Sequence, residues 1–75
     1  MIKVYSKENC NACVRTKNDL HDLGIEFEEL SLHDLSGIQF AAFVEAGHRA
    51  APIVVTDNDE WSGYQPDLIK GLVRG

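Results

Sequence analysis

The sequence lacks most of what would place it in a membrane, on a nucleic acid or outside a cell. No apolar run approaches the ~20 residues that a membrane-spanning helix requires. Met1 leads straight into a strand-like run, with no apolar segment or small-residue cleavage site, so no export signal is expected. Positive charge is scarce: twelve acids against seven bases leave a net charge of −5. That balance argues against a nucleic-acid partner or an anionic membrane. Cysteine is limited to two residues, which without an export signal fits a reducing, cytoplasmic setting better than a disulfide-stapled secreted fold. The three histidines, His21, His33 and His48, lack the close pairing of zinc ligands, so no bound metal is expected. Repeats, linkers and low-complexity segments are absent too. One domain over residues 1–75 remains, marginal in size, with enough apolar residues for a core.

What is present is concentrated in one stretch, Cys10-Asn11-Ala12-Cys13. It lies where a strand-like run gives way to a helix-like one, the setting of a dithiol redox site. A structural staple is a poor account of the pair, because closing so short a loop contributes at most about 2 kcal/mol. Lys3, Lys7, Arg15 and Lys17 bracket the cysteines, opposed locally only by Glu8. Most of these charges read as solvated surface, but Lys7 and Arg15 are placed to favour a thiolate.

The apolar pattern sets the elements. Alternation predicts a strand over 2–5 and a polar loop over 6–9. A helix follows from Ala12 to Leu23, capped by Asn9, or by Asn11 if it starts later. Cys13, Thr16, Leu20 and Leu23 form its inner stripe, leaving Arg15, Asn18, Asp19 and Asp22 outward. Gly24 stops it. Residues 25–30 read as a second strand with a bulge or early end after Phe27. His33 to Gly37 read as a loop, with Asp34 or Ser36 as a cap. A helix over 38–46 ends at Gly47. It is apolar on more than one face, and a helix covered by the sheet is the preferred reading over a partner patch. Ile53-Val54-Val55-Thr56 suit a strand buried on both faces. Asp57-Asn58 turn it into a hairpin with Glu60-Trp61-Ser62. Pro66 opens a last helix whose apolar stripe is Leu68, Ile69, Leu72 and Val73. Right-handed crossovers make the first two strands parallel and the hairpin adds an antiparallel pair. The expectation is an α/β, thioredoxin-like fold, a mixed four-stranded sheet in the order βαβαββα with helices on both faces.

The chemistry follows from position. Cys10 at the helix front meets unpaired N–H groups and the positive helix end, which favour a thiolate nucleophile. Cys13, one turn on, is placed to resolve a mixed disulfide. Three readings compete: a dithiol carrier, a metal- or cluster-binding module using Cys10 and Cys13, and inert buried thiols. His21 and His33 read as surface residues; His48, beside Arg49, is a candidate for the site rim. Pro52 is either a boundary residue or a cis-proline facing the cysteines. Only about one X-Pro bond in twenty is cis in folded proteins, so position alone leaves this open.

Three motifs carry a resemblance. Tyr5-Ser6-Lys7-x-x-Cys10-x-x-Cys13 resembles the start of glutaredoxins and of NrdH-type redoxins alike. Ala51-Pro52 before Ile53-Val54-Val55 resembles their cis-proline strand. Trp61-Ser62-Gly63-Tyr64-Gln65-Pro66 resembles the Trp-Ser-Gly-Phe-x-Pro motif of NrdH redoxins, not the Gly-Gly-x-Asp-Asp segment with which glutaredoxins hold glutathione. The resemblance implies a dithiol carrier with no bound cofactor; a carrier this small that must present its thiols is most simply a monomer. Its electrons would come from NADPH through thioredoxin reductase and pass to class Ib ribonucleotide reductase. A glutathione-dependent glutaredoxin is the alternative, motivated by Tyr5-Ser6-Lys7. The resemblance makes Cys10 the nucleophile, Cys13 the resolving thiol and Pro52 the cis-proline. Lys7, Asn11, Ala12, Ala51, Trp61, Ser62, Gly63, Tyr64 and Gln65 would form the partner surface, and the segment from Trp61 to Pro66 would add a supporting hydrogen-bond network. Glu8 stands where the family often has Pro, Gln65 where Arg is common, and Asn11-Ala12 is an unusual intervening dipeptide.

Overall fold

The computed structural model describes residues 1–73; residues 74 and 75, part of the expected domain, lie outside the described residues. The elements are β1 (Ile2–Ser6), α1 (Asn11–Asp22), β2 (Phe27–Ser31), a 3-10 turn (Leu32–Asp34), α2 (Gly37–Glu45), β3 (Ile53–Val55), β4 (Glu60–Ser62) and α3 (Pro66–Gly71). The sheet order is β2-β1-β3-β4. β1 runs parallel to β2 and antiparallel to β3, and β3 pairs antiparallel with β4. This is the thioredoxin-like arrangement that the order of elements predicts, and it leaves the front of α1 at the end of the central strand β1.

Valine and isoleucine populate the central strands because branched side chains pack well on a pleated surface. Val4, Val54 and Trp61 share a register row on one face, where Leu20 of α1 and Ile69 of α3 join them in the buried core. α1 packs against α3 there. Cys13, Thr16 and Leu20 are buried as the helical spacing predicts, and the Thr16 hydroxyl satisfies itself on the Ala12 carbonyl at 2.8 Å. Both long helices end as their glycines predict. Past α1, Gly24 at φ 71° lets its N–H reach His21 O and the Ile25 N–H reach Leu20 O. Past α2, Gly47 and His48 donate likewise to Val44 and Phe43. Each is a Schellman motif, which uses up carbonyls that a helix end would otherwise leave unpaired.

Several expectations are corrected. Neither Asn9 nor Asn11 caps α1; Cys10 does, and the helix starts at Asn11. Leu23 belongs to the cap rather than the inner stripe and is 40% exposed. Asp19, expected outward, is half-buried. β2 starts at Phe27, not Ile25, and its pairing with β1 runs unbroken from Ile2–Phe27 to Ser6–Ser31, so there is no bulge. The loop expected over 33–37 holds the 3-10 turn, with Ser31 capping it. Thr56 falls outside β3, where its hydroxyl instead accepts from the Asp59 N–H in the hairpin turn. In α3 only Ile69 is buried; Leu68 and Val73, expected in its stripe, are exposed. The largest departure is α2. It carries the reciprocal Ser36–Gln39 capping box, yet none of its residues is buried and Ile38 is 85% exposed. The preferred reading of a covered helix is overturned: only Phe43 docks, edge-on to Tyr5 with ring centroids 5.2 Å apart.

Candidate active site

The loop from Lys7 to Asn9 turns sharply off β1. Asn9 takes φ 52°, a left-handed backbone that Asn tolerates better than most residues. That turn presents Cys10 as the N-cap of α1, in extended conformation. Its sulfur accepts the Cys13 N–H at 3.1 Å, the role a serine or aspartate oxygen plays at most helix starts. Cys10 and Cys13 form a disulfide with Cα atoms 5.2 Å apart. Cys13 is 1% exposed whereas Cys10 is half-buried, so of the two cysteines only the leading one meets solvent. Reduced, Cys10 would keep the Cys13 N–H and the positive end of α1, both of which favour a thiolate.

The second wall of the site is the cis Ala51–Pro52 peptide. The Ala51 carbonyl oxygen lies 3.7 Å from Cys10 Sγ. In the disulfide this sulfur has no hydrogen to donate, so the approach is a contact. Pro52 is buried and its carbonyl accepts the Gly63 N–H at 2.8 Å. Gly63, at φ 78°, sits in a backbone region that side chains rarely adopt. The turn after β4 is thereby bound to the strand that faces the cysteines.

Other expected site residues divide into surface and interior. Lys7, Asn11 and Gln65 are exposed, and Ala12, Ala51, Ser62, Gly63 and Tyr64 are half-buried. Trp61 is not a surface residue: it is 6% exposed, within the core, and supports the turn from beneath. Among the described residues its indole N–H has no acceptor. Lys7 and Ala51 line a groove of about 420 Å³ with Phe40, Phe43, His48 and Arg49. His48, the candidate for the site rim, lines this groove, whose lining does not include the cysteines; its Nε2 lies 2.6 Å from a Glu60 carboxylate oxygen. His21 and His33 are exposed. Among the described residues no three of His, Cys, Asp and Glu gather as metal ligands.

Two polar links went unread in the sequence. Lys17 does not point its charge at the cysteines; it pairs with Glu29 at 2.7 Å, and the same oxygen accepts the buried Ser6 hydroxyl at 2.9 Å. The Lys17 hydrogen bond, then that of Ser6, holds the Glu29 carboxyl below its usual range, against the opposing effect of burial. The Tyr64 hydroxyl donates to Asp19 Oδ2 on α1 at 2.5 Å. That bond, with burial and the Asp19 charge adding to it, raises the phenol above its ordinary range. Partners 45 residues apart leave no periodic signal. The one clue was a half-polar aromatic in the segment after Trp61.

Comparison with known proteins agrees with this geometry. The glutaredoxin family profile matches residues 2–61. The glutaredoxin-like protein NrdH of Lactococcus lactis is 35% identical over 72 residues, covering 96% of this chain and 99% of that one. The chain belongs to the glutaredoxin family, as an NrdH-type redoxin. Escherichia coli NrdH is 30% identical over 71 residues, covering 95% of this chain and 86% of its own. The solved NrdH-redoxin of Escherichia coli superposes with a TM-score of 0.85, covering 95% of this redoxin and 92% of that chain. A glutaredoxin from Archaeoglobus fulgidus superposes at 0.76 with 26% identity, covering 99% of this redoxin and 86% of that chain. The redoxin is therefore a glutaredoxin-like thiol redox protein with a cysteine pair. No helix among the described residues is long and apolar enough to cross a membrane.

Proposed function

We propose that this redoxin is a dithiol electron carrier that accepts electrons from NADPH through thioredoxin reductase and delivers them to ribonucleotide reductase of class Ib. The observation that carries the dithiol cycle is the asymmetry of the two cysteines: Cys10 meets solvent at the helix front, and Cys13 is sealed behind it. In this cycle the Cys10 thiolate attacks one sulfur of a partner disulfide, displacing the other as a thiolate and forming a mixed disulfide. Cys13, losing its proton, then attacks Cys10 Sγ. The partner leaves as a dithiol after taking up two electrons and two protons, and the Cys10–Cys13 disulfide remains. Reductase and NADPH restore the dithiol. Lys7, Asn11, Ala12, Ala51 and the exposed part of the 62–65 turn are the surface a partner meets.

Two observations support thioredoxin reductase over glutathione as the electron source. Trp61-Ser62-Gly63-Tyr64 occupies the turn bonded to Pro52, where glutathione-holding glutaredoxins resemble Gly-Gly-x-Asp-Asp. The solved Escherichia coli relative is described as glutaredoxin-like with a thioredoxin-like activity profile. The test couples NADPH, thioredoxin reductase and the redoxin to a dithiol-dependent disulfide substrate, beside an arm with glutathione and glutathione reductase. Turnover in the first arm alone is expected. Turnover in the second alone would replace the reading with a glutathione-dependent glutaredoxin. Cys13→Ser is expected to abolish turnover with a partner that needs a resolving thiol and to trap the mixed disulfide at Cys10.

A further inference from the structure

Around the disulfide the contacts form a closed circuit. From Cys10 Sγ it crosses to the Ala51 carbonyl, runs through Pro52 to the Gly63 N–H, and passes along the turn to Tyr64. The Tyr64 hydroxyl then returns it to Asp19, six residues after Cys13 on α1, or about 9 Å along the helix axis. Each link but one is backbone or the reacting sulfur itself. The exception is the Tyr64–Asp19 hydrogen bond, made by two side chains to which the redox cycle gives no part.

We infer that the Tyr64–Asp19 hydrogen bond is the anchor that fixes the cis-proline turn and the 62–65 surface relative to the cysteine helix, so that both residues position the surface a protein partner meets. The neighbouring Gln65 cannot serve as this anchor. Among the described residues its side chain makes one bond, a long one of 3.4 Å from Nε2 to the Ser62 carbonyl within the same turn, and that side chain is exposed. Tyr64 instead ties the turn to α1, and it packs against the core cluster that includes Trp61. The acceptor is a carboxylate, which strengthens the bond relative to a neutral pair. Arg15, one turn before Asp19, acts on the phenol in the opposite sense to Asp19. Tyr64 and Asp19 are positioning residues; neither touches the sulfurs.

The partner-binding half of this inference rests on the carrier reading above; the anchoring half does not. Steady-state assays with thioredoxin reductase are run on the full chain and on Tyr64→Phe, Asp19→Ala, Asp19→Asn and the Tyr64→Phe/Asp19→Ala double variant. Loss of one hydrogen bond predicts a rise in KM for the redoxin of about five-fold at unchanged kcat in Tyr64→Phe and in Asp19→Ala. The double variant is expected to match either single one, and Asp19→Asn, which keeps an acceptor oxygen, to stay near the parent. Reduction of a small aromatic disulfide by prereduced Asp19→Ala, which needs no docking surface and changes no residue of the partner surface, should not change. An unchanged KM in Tyr64→Phe, additive effects in the double variant, or an equal loss on the small disulfide would each overturn the inference. Hydrogen exchange at the Gly63 amide gives a reading free of any partner. It should quicken by about the same factor in Tyr64→Phe and Asp19→Ala, and an unchanged rate overturns the anchor. If the parent takes no electrons from thioredoxin reductase, the carrier reading falls, while the Gly63 amide still decides the anchor.

Discussion

The two faces of the sheet are built from the same strands and hold their helices in opposite ways. On the α1/α3 face one register row reads Glu29, Val4, Val54, Trp61, three of its four members apolar and buried. On the α2 face one row reads Leu30, Tyr5, Ile53, Ser62, and the next reads Glu28, Lys3, Val55, Glu60. A helix can dock only on the first of these, because covering the charged row would strip water from three ionic groups. α2 therefore touches the sheet through Phe43 and leaves Ile38, Phe40 and Val44 in solvent. The difference teaches where the redox site draws its rigidity: the helix that carries both cysteines belongs to the fully packed face.

Substitutions can break that contrast, and the largest effect belongs to the packed face. Leu20→Ala removes a fully buried side chain from α1 and is expected to cost about 2–5 kcal/mol in denaturant unfolding. Ile38→Ala, a similar truncation on α2 at an 85% exposed position, should stay within about 0.5 kcal/mol. Equal losses at the two sites would erase the distinction. Phe43→Ala falls between them at roughly 2 kcal/mol, since the ring is half-buried and makes edge contacts with Tyr5 and His48. Ser36→Ala follows at about 1 kcal/mol, the usual worth of an N-cap oxygen. Here the Ser36 oxygen accepts from the Gln39 N–H, in a helix with little packing to fall back on.

The same contrast explains which parts of the fold were legible. Cys13, Thr16 and Leu20 could be read because a single-faced stripe at helical spacing has one solution: bury it. The glycine stops at Gly24 and Gly47 could be read because a left-handed residue past a helix end is a local requirement. α2 could not be placed by its own residues. Ile38, Phe40, Ala41, Ala42, Phe43 and Val44 are apolar all round, and what decides their exposure is the charged row Glu28–Lys3–Val55–Glu60 on other strands. The N-cap was misplaced for a chemical reason: asparagine is the expected capping side chain, yet the sulfur of Cys10 holds the Cys13 N–H. The cysteines and Pro52 were legible as candidate site residues. The links that tie their elements together were not, because Ser6–Glu29 and Tyr64–Asp19 join residues 23 and 45 positions apart.

The smallest expected effect sharpens the comparison at the edge of the packed face. Glu29 is the one charged member of the row that also holds Val4, Val54 and Trp61, and it is kept there by Lys17 of α1 and the Ser6 hydroxyl. Because those bonds lower its pKa on folding, the ionised carboxylate stabilises the fold. The contribution is complete above the ordinary glutamate range of about 4.3 and is lost as the pH falls below it, through the depressed folded value. Its size is small, since the carboxylate side chain is 48% exposed and solvent screens the Lys17 pair; about 0.5–1 kcal/mol is expected after that discount. Glu29→Gln should therefore show its deficit at neutral pH and converge on the parent in acid. Denaturant midpoints for both proteins between pH 7 and pH 2.5 would test this. Two curves that stay parallel into acid would mean that the Ser6–Glu29–Lys17 link adds nothing to the anchoring of the cysteine helix.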